Sequence, residues 1–164
     1  VKLIKKIAIQ MFLLALFIII GCNKSSPSES TFVPPNDKMV TREMAKRYAE
    51  VSVALTKAVE EEAVVIEEFR EKYNISLDMN ELNDREFREK HPEIIKDWEE
   101  IQKDWQLKQN AVYEKFGMSE EEWDWIAGSL IMPRNRPMQE FIRKEIERIE
   151  KEGFQQQTQT KDNK

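Results

Sequence analysis

Glu62 is the acid whose position asks most of its surroundings. It falls on the same helical line as Met44, Val51, Leu55, Phe69 and Tyr73, and a carboxylate on an apolar line is costly to bury unless it is paired or protonated. Three readings stay open. The line meets a gap where Glu62 reaches water, or the carboxylate bonds a buried partner such as Gln102, Gln109 or a Trp N–H, or it is the perturbed acid of a ligand site. Metal binding has many acids to draw on, in Glu60, Glu61, Glu62, Glu67, Glu68 and again in Glu120, Glu121, Glu122. Di-metal bundles pair such acids with an E-x-x-H spacing. The single histidine, His91, has Arg88 three residues before it, so that pattern is missing and no metal ligand set is assigned. Nucleophilic catalysis finds no G-x-S-x-G and no glycine-rich loop, and no catalytic residue is assigned.

Cys22 is the only cysteine, which excludes an intrachain disulfide and a thiolate cluster. It closes a patterned segment. Lys2, Lys5 and Lys6 precede a 14-residue apolar run, Ile7 to Ile20, interrupted only by Gln10. As a helix this run reaches about 21 Å, short of the ~30 Å hydrocarbon core of a bilayer, a length that suits a signal peptide better than a span. The run ends in Ile19-Ile20-Gly21-Cys22. This resembles the lipobox of bacterial lipoprotein precursors, with an aliphatic residue, then a small residue directly before the cysteine. The resemblance covers residues 1–22 alone. It implies cleavage before Cys22, a covalent lipid on its thiol, and a place in the cell envelope held to a membrane through acyl chains; no cofactor is assigned beyond that lipid. Two or three such chains, at about 0.8 kcal/mol per buried CH₂, hold a protein firmly.

Residues 22–39 are rich in Ser, Pro and Asn and read as the lipidated cysteine and a flexible linker. Residues 40–153 read as an all-α domain, a small antiparallel bundle of about four helices, two long and two short. The first runs from about Thr41 to Tyr73, with Thr41 able to cap it. Its stripe of Met44, Tyr48, Val51, Leu55, Val65, Ile66, Phe69 and Tyr73 stays within about 60° of one line. Asn74 to Asn83 is a loop or broken turn, followed by a short helix over Asp84–Lys90. The second long helix opens at His91-Pro92 and ends at Gly117, with Ile94, Ile95, Trp98, Ile101, Trp105, Val112, Tyr113 and Phe116 inward. Ser119 and Glu122 spell a capping box, and Met118 and Trp123 a hydrophobic staple. That helix stops near Ile131, before Pro133 and Pro137, and a last one runs from Pro137 to Gly153. Residues 154–164 read as a disordered tail.

Charge narrows the partners. Removing residues 1–21 takes three lysines from the 26 basic residues and none from the 31 acidic ones, leaving a net of about −8. Phosphate backbones need a basic surface, so nucleic acid is excluded as a partner. Trp125 lies about 160° from the line of Trp123, Ile126, Ala127 and Leu130, so it is either packed from another side or exposed as an interface anchor. The residues thus favour a noncatalytic interaction domain that binds another envelope protein or a peptide. A periplasmic helical chaperone or stress protein is the alternative. Leu55-Thr56 shares only its first two letters with the L-T-x-x-Q motif of small chaperones. A ligand-binding protein or enzyme centred on Glu62 comes third.

Overall fold

The computed structural model describes residues 32–161, with side chains through Gly153. The signal-peptide segment, Cys22 and the first part of the linker lie outside the described residues. The described chain is all-α: α1 (Arg42–Tyr73), α2 (Arg85–Lys90), α3 (Pro92–Lys115), α4 (Glu120–Leu130) and α5 (Arg136–Lys161), with short 3-10 turns at Asn80–Asn83 and Pro133–Asn135.

Each boundary has a local cause. Thr41 Oγ1 accepts from Met44 N–H at 3.2 Å and starts α1. Asn74 ends it by taking the left-handed conformation, φ 52°, and Ile75 N–H returns to Arg70 O at 3.0 Å. Asp84 caps α2 through a bond from Phe87 N–H at 2.8 Å. Pro92 opens α3, where its missing N–H has no partner to lose. Gly117, at φ 60°, turns the chain after α3.

Helix α1 is the spine. Lys72 and Tyr73 meet Asp97, Glu62 meets Lys108, and Arg47 meets Gly117, so α3 runs antiparallel to α1 along nearly its whole length. Helix α4 continues in that direction: Glu122 lies against Arg47, and Ser129 is tied through Asn135 to Val40. Helix α5 then starts at the same end as α1, with Phe141 under the Arg42 guanidinium at 4.7 Å.

The core has two centres. The larger gathers Met44, Ala45, Ala49, Val51 and Leu55 of α1 with Tyr113, Ile126 and Ile142 of α3, α4 and α5. The smaller joins Phe69, Ile75 and Leu82 to Ile94 and Ile95, with Phe87 of α2 packed against it. Each fully buried large apolar side chain contributes about 1.5–3 kcal/mol. The far half of α1 closes on the start of α3 and the 74–87 segment.

Three expected boundaries shift. The long helices number three, because α5 has 26 residues. Its backbone passes Gly153 and stays helical to Lys161, through residues read as a disordered tail. A glycine inside a helix costs only about 1 kcal/mol against alanine, and the Gln and Lys that follow are good helix formers. The linker also ends earlier than its composition suggested. Phe32 to Val40 packs on the bundle, with the Phe32 ring 5.6 Å from Trp125 and Val40 buried.

Candidate functional site

Between the two cores lies a waist, where Glu62 of α1 meets Lys108 of α3; Ala58, Val59, Val65 and Ile66 of α1 and Trp105 of α3 are half-buried in this stretch. The 62/65/66/69 spacing keeps these α1 residues on the face that holds Phe69 further along. Glu62 is 5% exposed, and its Oε2 accepts from Lys108 Nζ at 2.7 Å. Lys108 bridges inside and outside, with 44% of its side chain exposed. The hydrogen bond to Glu62 raises its pKa first, and the charges of Glu62, Asp104 and Glu61 add to that against the opposing effect of burial. Val59, Val65, Ile66 and Trp105 are each partly exposed, and none of them belongs to either core.

Of the three readings of Glu62, the structure shows the paired one, with a different partner. Lys108 supplies the donor in place of Gln102, Gln109 or an indole. The signal for it was present in the sequence. Trp105 and Val112 sit three before and four after Lys108 on the inward line of α3, so a cation interrupts one stripe as an acid interrupts the other. With its bond taken by an ammonium, Glu62 is a positioned polar group inside an apolar strip.

The capping box forms by half. Ser119 Oγ accepts from Glu122 N–H at 3.0 Å. The Glu122 carboxylate turns instead to Arg47, 2.6 Å from Nη2. Arg47 Nη1 also donates to Gly117 O at 2.7 Å, which pins the α3–α4 turn to α1. Burial raises the pKa of Glu122, Arg47 opposes that, and the Glu43 charge adds to it. Beside this pair Trp123 stacks on Tyr48 at 5.3 Å and 18°. Burial likewise raises the pKa of Tyr48, Tyr113 and Asp124.

Trp125 is packed from another side, against the larger core. The segment before α1 covers it with Phe32, at ring centroids 5.6 Å apart and 55° between planes. It remains partly exposed. His91 precedes α3 as expected, its ring 4.6 Å from Phe87 and its Nδ1 3.7 Å from Glu93. At the far core the Tyr73 hydroxyl donates to Asp97, as does Lys72 at 2.9 Å, and these two bonds hold Asp97 below its ordinary pKa. Lys72 is correspondingly pushed up to about 12.

Sequence reasoning missed Asn135. It is fully buried and makes three bonds. Oδ1 accepts from Val40 N–H at 3.0 Å, and Nδ2 donates to Ser129 O at 2.9 Å and to Lys38 O at 3.3 Å. In the sequence it stands among helix breakers, and nothing local marks it as buried. Arg134 adds a bond to Asp37 O at 3.2 Å. Comparison with protein-family models, with curated proteins and with solved structures returns no match for this chain.

Proposed function

We propose that this chain is a bacterial envelope lipoprotein, held to a membrane by acyl chains on Cys22, whose helical domain is a noncatalytic module that binds another envelope protein or a peptide. Two sequence features support the address: the Ile19-Ile20-Gly21-Cys22 motif behind a short apolar run, and a strongly acidic mature body that needs an anchor of its own. The observation that carries the binding role is the waist. Val59, Val65, Ile66 and Trp105 form a partly exposed apolar strip around a fixed Glu62–Lys108 pair. Apolar anchors with an aromatic residue beside a few placed polar groups are how a surface holds a peptide or helix.

Photo-crosslinking in intact envelopes tests this. A benzophenone side chain at position 105 should join one recurring protein or peptide. The same group at Lys96, exposed on the same helix, should not. Identical adduct patterns from both positions, or none from position 105, would count against the waist as a binding surface.

A further inference from the structure

The end of the bundle where the chain enters gathers the described arginines that have no ion-pair partner. Nine arginines occur in the chain, all of them among the described residues. Six are ion-paired: Arg47 with Glu122, Arg70 with Glu67, Arg85 with Glu89, Arg88 with Glu99, Arg143 with Glu140 and Glu147, and Arg148 with Glu145 and Glu152. The other three are Arg42, Arg134 and Arg136, and no described carboxylate lies within ion-pair distance of them. All three sit at this one end. Arg134 reaches Asp37 O, Arg136 begins α5, and Arg42 begins α1 beside Phe141. Of the acids near them, Asp37 is offset by Lys38, Glu140 is bonded to Arg143 while its charge also reaches Arg136, and Glu43 follows Arg42 in the first turn of α1.

The same end carries exposed apolar side chains. Ile131 is 82% exposed and Val33 81%, and Met39 is also exposed. Asn135 gathers them, because it bonds Ser129, two residues before Ile131, and both neighbours of Met39. Guanidinium groups beside solvent-exposed aliphatic side chains match the phosphate and upper acyl layers of a bilayer. The covalent path agrees. Phe32 stands ten residues after Cys22, and ten residues span at most about 35 Å.

We infer that this end of the bundle, through Arg42, Arg134, Arg136, Met39 and Ile131, rests on the surface of an anionic phospholipid bilayer. The inference builds on the proposed lipid anchor at Cys22. It also resolves a conflict between the acidic body and an anionic membrane. Helix α1 has 32 residues and is about 48 Å long. Its acid-rich far half therefore stands several Debye lengths from the headgroups, each about 8–10 Å, while the unpaired arginines lie within one.

The full chain, recovered from bacterial membranes, tests this in vesicles containing phosphatidylglycerol and a lipid-borne quencher. One preparation carries a fluorophore at Ile131→Cys and another at Leu77→Cys, in the loop at the opposite end. The expected result is strong quenching at 131 and little at 77. Arg134→Ala with Arg136→Ala should bring the signal at 131 down to that at 77, as should vesicles of phosphatidylcholine alone. Equal quenching at the two positions overturns the inference. So does a label at 131 that is shielded from aqueous iodide yet untouched by the lipid quencher, which would assign the patch to a protein. The intact mass of the same samples reads the state of Cys22. An unmodified thiol would thus sink the anchor while the two labels still report which end faces lipid.

Discussion

At Glu62 a carboxylate sits where a leucine would fit the helical pattern, and Lys108 is what makes that tolerable. Truncating Lys108 leaves a buried acceptor without its donor, a loss of about 2 kcal/mol. Lys108→Ala should lower the urea midpoint accordingly at unchanged m-value. Glu62→Leu should behave in the opposite sense, neutral or stabilising, because the freed lysine reaches water and the strip becomes continuous. A large destabilisation by Glu62→Leu would mean that the pair organises the waist in a way its geometry does not reveal. Glu122 carries a pH signature. Its folded pKa is raised, so the folded state binds its proton more tightly than the unfolded one. Its contribution to stability is therefore greatest below its ordinary value of 4.5 and is lost as pH rises through the folded value. Urea midpoints of Glu122→Gln against the parent from pH 4 upward check this. The parent should lose ground relative to the variant as pH rises through that window, and a constant difference would contradict it.

At the scale of elements, the segment from Phe32 to Val40 belongs to the bundle because Asn135 holds it. Two carbonyls on one side and an N–H on the other fix the orientation of that amide. Asn135→Ala strands Val40 N–H, Lys38 O and Ser129 O together, at about 3 kcal/mol. It should also free the segment, so limited proteolysis should cut between Phe32 and Thr41 in the variant and not in the parent. Asn135→Asp should fail to rescue, since one carboxylate oxygen would face both carbonyls. Uncut Asn135→Ala would show that Phe32 on Trp125 suffices as a clasp. These elements also show what the sequence could and could not tell. The caps at Thr41 and Ser119, the proline starts and the turn at Gly117 were legible because each acts within four residues. The binding of Lys38 and Val40 by Asn135 was not, because it joins positions nearly a hundred residues apart. The run past Gly153 was illegible for a different reason: a glycine resembles a stop, yet inside a helix it costs only about 1 kcal/mol. Glu62 stood out and its partner did not, although both interrupt an apolar line. Each helix was read by itself, and the register between α1 and α3 is a tertiary fact.

At the scale of the molecule, three features of the proposal follow in chain order. A lipidated Cys22 would come first, and the arginine-bearing end of the bundle would rest on the membrane. The waist lies twenty residues further along α1, about 30 Å away. Beyond it is the smaller core, around Phe69, Ile75 and Leu82. Phe32, packed on Trp125, stands ten residues after Cys22, and ten residues span at most about 35 Å. On that proposal the waist would meet its partner close to the bilayer, on whichever side the acyl chains insert. Everything in this arrangement depends on the cysteine. The most direct measurement is mass spectrometry of the N-terminal peptide from protein extracted out of bacterial membranes. The account predicts a peptide that begins at Cys22 and carries a diacylglyceryl group on its sulfur. A peptide containing residues before Cys22, or one beginning there with a free thiol, would contradict it.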